Sequence, residues 1–297
     1  MRHMNLLIIL ILSASLQAAL AAAPGLLLPS SDDGWRDPIY SADGQFIAFT
    51  NSAQNRIYVL EPGKDTPRSV AQGEKIGRRF AFEPGVERVV FRLRSYALPG
   101  KPERLISSSI YLYDPVHLTE NTAGDLFGPY VINNRIWYRT SLVGPFFDCR
   151  GDIRGAGPYW DMESGKLNVL NSRLDTVFTS ASNQRIAGYE ISPDGAWLAA
   201  VESRPERRVL LIRIEDGTNL SLPLAIAPNW AGNSQSVICV TARPEGGSDL
   251  SIVHVPSGES EVVLSSPRFR PETPALNLDG SRALFVSGGA IYEMTLP

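Results

Sequence analysis

Histidines are scarce in this chain of 297 residues, and so are the sequence motifs that mark catalytic nucleophiles. Its three histidines are His3, His117 and His254. His254 stands between two valines in a predicted strand and His117 at a strand end, positions that favour packing or exposure over the role of a triad base. The sequence contains no G-x-S-x-G elbow, no G-x-G-x-x-G turn and no Walker loop. We therefore predict no catalytic residue, no metal site and no cofactor.

Aromatic and arginine side chains form the stronger candidate set, because these residue types are enriched at the centres of binding interfaces. They stand where the first strand of a repeated unit begins, and such strands surround the axis of a ring-shaped protein. For any one of them, packing between neighbouring sheets is the alternative, so the prediction concerns the group. The predicted binding residues are Trp35, Arg36, Arg78, Arg79, Tyr130, Tyr189, Trp230 and Arg270.

The repeated unit that must position these residues is clearest from Gly188 to Gly217. A strand ends in the turn Ser192-Pro193-Asp194-Gly195, where proline and glycine suit a tight hairpin. An apolar strand follows from Ala196 to Val201, and a third strand ends at Asp216-Gly217. Apolar residues on both sides of the pleat indicate a strand covered on both faces.

The spacing of the units predicts the architecture. Gly44 and Gly280 close equivalent turns 236 residues apart, and five intervals average 47 residues, close to the roughly 40–50 of a propeller blade. We predict an all-β, six-bladed β-propeller of four-stranded antiparallel blades, or seven blades if the connector from Ser172 to Ala187 holds a degenerate unit. The last unit lacks a strand, and Gly25–Leu28 lacks a sheet, so pairing the two would close the ring.

The first 22 residues have the pattern of a secretory signal peptide, with Arg2 ahead of an apolar run and small residues at Ala19 to Ala23. We predict a signal peptide at 1–22 and a propeller domain at 23–297, with no membrane span after cleavage. A net charge of −3 gives no basic footprint for nucleic acid. Cys149 and Cys239 fall in different units and are predicted to be unpaired thiols in a monomer.

Three phrases carry a resemblance to a known family: PIYSADGQFIAFTN, ISPDGAWLAAVES and LNLDGSRALFVSG. Each precedes a strand such as RIYVLEPG, and together they resemble the WD40-like repeats of the TolB β-propeller family. The resemblance implies a propeller in the bacterial periplasm that binds other proteins through one face of its ring. We expect a periplasmic, non-catalytic propeller that engages a protein or peptide partner in the cell envelope through its funnel face. The alternative is a secreted lyase or hydrolase that acts on a glycan in the channel.

Overall fold

Strands supply nearly all of the regular structure. The computed structural model describes residues 23–85, 88–96, 105–112, 119–122, 127–139, 146–148, 153–154, 159–160 and 166–297. Within these ranges the only helical element is a single 3-10 turn, Ile76–Arg78. The predicted all-β class is confirmed. No helix in the described ranges is long and apolar enough to cross a membrane.

The described strands form seven antiparallel sheets, six with four strands and one with three. Grouped by sheet, with the first strand set apart because it joins the last sheet, they are β1 (Gly25–Leu28); β2 (Trp35–Tyr40), β3 (Ile47–Asn51), β4 (Arg56–Leu60) and β5 (Arg68–Gln72); β6 (Phe80–Phe82), β7 (Val89–Tyr96), β8 (Leu105–Leu112) and β9 (Thr119–Thr122); β10 (Phe127–Ile132), β11 (Arg135–Arg139), β12 (Phe146–Asp148) and β13 (Ile153–Arg154); β14 (Tyr159–Trp160), β15 (Leu167–Leu170) and β16 (Thr176–Thr179); β17 (Arg185–Ile191), β18 (Trp197–Arg204), β19 (Arg208–Arg213) and β20 (Asn219–Pro223); β21 (Ala225–Trp230), β22 (Ser236–Ala242), β23 (Ser248–His254) and β24 (Ser260–Leu264); and β25 (Glu272–Leu276), β26 (Arg282–Ser287) and β27 (Ala290–Thr295).

The turn that joins the first two strands of a sheet is stabilised by hydrogen bonds from its own side chains. The Ser41 hydroxyl donates to Asp43 Oδ1 at 2.5 Å and accepts from the Phe46 amide at 2.9 Å. Gly44 follows with a φ of 69°, which a glycine adopts without steric cost. The Ser192 turn repeats this arrangement. The sequence pattern therefore encodes the turn locally.

Apolar strands lie between neighbouring sheets, where both faces are covered. Every residue of β3 is buried, and so is the segment 197–200 of β18. Burial on both faces agrees with the uninterrupted apolar run predicted there. Cys239, on β22, is fully buried and carries a free thiol, whereas Cys149 lies outside the described residues.

The first strand completes the last sheet. Gly25 pairs with Glu293 and Leu28 pairs with Ile291, so β1 lies along β27 as predicted. A polar cluster supports this junction from the other side, because Tyr40 Oη donates to Glu293 at 2.8 Å and Arg282 donates to the same carboxylate at 3.1 Å. The two ends of the described chain are thus joined through one sheet.

Six strands surround the centre of the molecule in a propeller-like arrangement. They contact one another in the closed order β2, β6, β10, β17, β21, β25 and back to β2. The three-stranded sheet β14–β16 places none of its strands at this centre. Its third strand comes from the connector between Ser172 and Ala187, and Leu167 of β15 packs with Ile186 of β17. The connector therefore adds a strand beside the ring.

Candidate functional site

A cavity of about 810 Å³ occupies the centre of the ring and is here called the central cavity. Each of the six surrounding strands contributes one stretch to its wall. These stretches are residues 37–40, 79–82, 129–131, 190–191, 227–230 and 273–276. The turns after these strands form one rim of the cavity. The volume falls in the range of roughly 300–1,000 Å³ usual for ligand sites.

Four of the six strands carry the same backbone irregularity where they reach the cavity. Asp37, Gly128, Ala227 and Thr273 all have positive φ, at 51°, 130°, 50° and 40°, and a proline follows each of them. In each strand the pairing with its neighbour shifts register at this place. Such bulges bend a strand and redirect its side chains. The bulges therefore determine which residues form the cavity wall.

Arg79 spans three neighbouring sheets within the central cavity. Its Nε donates to the Pro129 carbonyl at 2.9 Å, and its Nη2 donates to Glu190 Oε2 at 2.9 Å. The guanidinium also lies 4.2 Å from the centre of the Tyr130 ring, within cation–π range. Burial opposes the charge of Arg79, but Glu190, followed by Tyr130 and Tyr189, raises the pKa of Arg79 above its ordinary value. This arginine is held as a cation.

Asp37 is a carboxylate on the wall, held at the bulge of β2. Its Oδ2 accepts a hydrogen bond from Gln54 Nε2 at 3.2 Å, and its backbone amide donates to Thr273 Oγ1 at 3.2 Å. Burial raises the pKa of Asp37, although the hydrogen bond from Gln54 and the charge of Arg36 act in the opposite direction. The cavity therefore contains an acid whose ionised form is disfavoured by its surroundings.

The turns at the rim of the cavity are hydrogen-bonded to one another. The Asp194 amide donates to Ser234 Oγ at 2.9 Å, and the Asn233 amide donates to the Leu278 carbonyl at 2.8 Å. The Asn133 amide likewise donates to the Pro193 carbonyl. Four consecutive sheets are thereby linked at this rim. The links hold the rim in a fixed shape around the cavity.

Three of the eight residues predicted to bind a partner line the central cavity: Arg79, Tyr130 and Trp230. The Trp230 indole donates to the Glu190 carbonyl at 3.3 Å and is largely buried. Arg79 and Trp230 both contact Glu190, and Tyr130 joins them through the cation–π contact with Arg79. A binding role for the three stays a prediction.

Trp35 lies in the protein core instead, and Tyr189 is partly buried against a core cluster. The Trp35 indole donates to the Pro29 carbonyl at 2.8 Å and packs edge-on against Phe49 and Tyr58 at 5.0 and 5.1 Å. Tyr189 accepts from Arg139 at 3.2 Å, and burial, together with Tyr130, raises the pKa of Tyr189. Trp35 stands just ahead of the β2 bulge, so its side chain lies between sheets.

The remaining predicted residues are not part of the described cavity wall. Arg36 is half-buried beside the wall, and its Nε has no hydrogen-bond partner among the described residues. Arg270 is exposed ahead of β25, where its amide donates to Ser287 Oγ. The Arg78 side chain lies outside the described part of the structure. The ring of strand starts predicted from the sequence is therefore only partly realised.

Sequence reasoning missed several polar residues of the wall, among them Asp37, Glu190 and Asn229. Asn229 Oδ1 accepts from the Leu276 amide at 3.2 Å and so joins two neighbouring sheets. One signal in the sequence could have indicated them: an X-Pro dipeptide recurs three to four residues ahead of the hairpin turns. Asp37 is part of one such dipeptide, and Asn229 directly follows another.

The described wall can recognise a ligand by charge and by hydrogen bonding. The charged side chains among its described residues are Asp37, Glu190, Asp194 and Arg79, and no histidine, lysine or cysteine occurs among them. Across the described ranges, no group of three histidine, cysteine, aspartate or glutamate side chains is placed to hold a metal ion. The wall also carries Trp230 and several prolines, which provide apolar contact surface.

Comparisons with known proteins bear on the fold. No protein-family model and no curated protein sequence matches the chain. Among solved structures, an oligogalacturonate lyase in complex with manganese matches with a TM-score of 0.56 and 15% identity, over 93% of this chain and 95% of that one. A chain of a mitotic checkpoint complex matches with a TM-score of 0.55 and 12% identity, over 93% and 95%. These neighbours are β-propellers, and at such identities the likeness shows the fold alone.

TolB from Acinetobacter baumannii is also among the structural neighbours. It shares 17% identity with a TM-score of 0.49, and the match covers 92% of this chain and 57% of that chain. The present chain thus spans less than two thirds of that TolB. At this TM-score the similarity carries no argument about family or function.

Proposed function

We propose that this protein is an exported, periplasmic β-propeller that binds a segment of a protein or a peptide in its central cavity, without catalysing a reaction on it. The observation that carries the proposal is the convergence of six strands on one cavity whose only described arginine, Arg79, is paired to Glu190. A paired charge that is still partly exposed in the cavity suits a fixed recognition surface. The predicted signal peptide at 1–22 supports export, and the TolB-like repeats in the sequence support membership of the TolB β-propeller family.

The proposed ring has six blades and is closed by the N-terminal strand. The closed order of contacts among β2, β6, β10, β17, β21 and β25 supports this number. The sheet β14–β16 is then an addition outside the six, packed against the blade that begins with β17. This arrangement also accounts for the irregular spacing of the sequence between residues 141 and 187.

One matched pair of substitutions tests cavity binding. Ala42 and Ala196 are both exposed turn residues, but only Ala42 lies on the cavity wall. We expect Ala42→Trp to narrow the rim and to abolish recovery of the partner from a periplasmic extract, whereas Ala196→Trp leaves recovery unchanged. If both variants recover the partner as the parent protein does, binding takes place elsewhere on the molecule.

Export is tested separately from binding. We expect the protein recovered from the periplasmic fraction to begin close to Ala23, which intact-mass measurement would detect. A full-length chain confined to the cytoplasmic fraction would contradict export without bearing on the cavity. The two parts of the proposal can therefore fail independently.

A second candidate function is a lyase or hydrolase that acts on a glycan in the same cavity. Asp37 favours it, because a carboxyl whose pKa is raised by burial can serve as a general acid or base. The structural neighbour named as an oligogalacturonate lyase supports only the shared fold. The test is product formation from oligogalacturonates and other cell-wall glycans. Activity that is lost in Asp37→Asn and retained in Glu245→Gln would establish the enzyme and exclude the non-catalytic proposal.

A further inference from the structure

We propose that the bound segment presents a lysine or arginine side chain to the central cavity, with Asp37 as its counter-ion. This inference rests on the proposed function and names the chemistry of its ligand. The wall's charge, its hydrogen-bonding groups and the way it already holds Arg79 each support the inference.

The described wall is electronegative. Asp37, Glu190 and Asp194 supply three carboxylates, against the single guanidinium of Arg79. Arg79 is already engaged by Glu190 at 2.9 Å. The charge of Arg36, beside the wall, acts on Asp37, so the cavity and its margin hold three carboxylates against two guanidinium groups. A cleft lined by one sign of charge attracts ligands of the opposite sign. A cationic segment is favoured, and a chain of uronic acids would meet repulsion.

The wall also offers hydrogen-bond acceptors on its inner strands. Each inner strand borders the cavity with a free edge, and a proline removes the backbone N–H at its position while leaving the carbonyl. Four of the six strands carry such a proline on the wall: Pro38, Pro129, Pro228 and Pro274. Lysine and arginine side chains are donors without acceptors. They match a wall that is rich in acceptors.

Arg79 shows how this wall holds a guanidinium. One carbonyl, from Pro129, one carboxylate, from Glu190, and one aromatic face, from Tyr130, surround it. Pro129 follows the bulge residue Gly128, just as Pro38 follows Asp37 on β2. At β2 the bulge residue itself supplies the carboxylate, and its Oδ2 accepts a hydrogen bond from the side-chain amide of Gln54 at 3.2 Å. The β2 bulge thus adds a second carboxylate to the wall, close enough to Arg36 for the charge of that arginine to act on it.

The test uses three fluorescein-labelled peptides, GSRSG, GSQSG and GSESG, and fluorescence anisotropy with the full chain. We expect the arginine peptide to bind about three- to tenfold more tightly than the glutamine peptide, and the glutamate peptide to bind most weakly. Asp37→Asn should remove most of that preference while the protein stays folded by circular dichroism. Glu245→Gln, a charge-matched change at an exposed loop residue, should retain it.

Several results would overturn the inference. Equal binding of the three peptides, or tightest binding of the glutamate peptide or of trigalacturonate, would refute the charge preference. If Ala42→Trp still abolished partner recovery, the proposed cavity binding would stand and only the cation would be wrong. Failure of the arginine peptide to bind at millimolar concentration, or binding that Ala42→Trp leaves unchanged, would equally reject a cation site in the cavity.

Discussion

Leu28 provides the sharpest test of how the ring closes. It is 2% exposed, pairs with Ile291 of the last strand and packs in one cluster with Trp35, Phe49 and Leu284. The proposed perturbation is Leu28→Ala. Because β1 completes the final sheet, removing the Leu28 side chain weakens the closure of the ring as well as the local packing.

The magnitude follows from burial. Truncating a fully buried leucine to alanine costs about 2–5 kcal/mol, which includes the cavity that the lost atoms leave. One kcal/mol lowers the melting temperature of a chain somewhat smaller than this one by roughly 2–4 °C. We therefore expect Leu28→Ala to lower the melting temperature by about 5–15 °C. Two residues earlier, Leu26 is 59% exposed, so Leu26→Ala should change the free energy of unfolding by no more than about 0.5 kcal/mol.

Urea unfolding followed by tryptophan fluorescence gives the free energy of unfolding for both variants, with a thermal melt by circular dichroism beside it. A Leu28→Ala protein as stable as the parent would mean that β1 does not lie on β27 in solution. Equal decreases in the free energy of unfolding in the two variants would contradict the difference in burial between Leu28 and Leu26, but would leave the pairing of β1 with β27 intact.

The remaining predictions concern single side chains. Trp35→Ala should lower the free energy of unfolding by about 3–5 kcal/mol in urea, because Trp35 is core, and peptide affinity under native conditions should not change. The raised pKa of Asp37 means that the folded state binds a proton more tightly than the unfolded state, so stability falls as pH rises from about 3.8 through the folded pKa. Asp37→Asn should accordingly be more stable than the parent at pH 7 and lose this advantage near pH 3; a constant difference in urea midpoint would contradict the assignment. Burial raises the pKa of the Cys239 thiol to about 12, so mass spectrometry should find the Cys239 peptide alkylated by iodoacetamide only after unfolding, and rapid native labelling would show that β22 opens.

The amino-acid sequence alone determined the local parts of this molecule. Turns such as Ser192 to Gly195 are encoded by side chains that form hydrogen bonds within the turn. Apolar runs such as 197–200 indicate strands covered on both faces. The pairing of Gly25–Leu28 with the last sheet could be foreseen as well, since each had unpaired edges. These features depend on short-range hydrogen bonds and on periodicity, which a sequence displays directly.

Only the tertiary structure decided which residues face the centre. Trp35 and Asp37 are two residues apart, yet one is core and the other lies on the cavity wall, because Asp37 falls in the β2 bulge, where the register shifts between Arg36 and Ile39. Arg79 meets Glu190 from 111 positions away and across an intervening strand. A one-residue change in register moves a side chain to the other face of a sheet. Such contacts depend on how bulged strands are arranged around the axis, and no local pattern in the sequence specifies that arrangement.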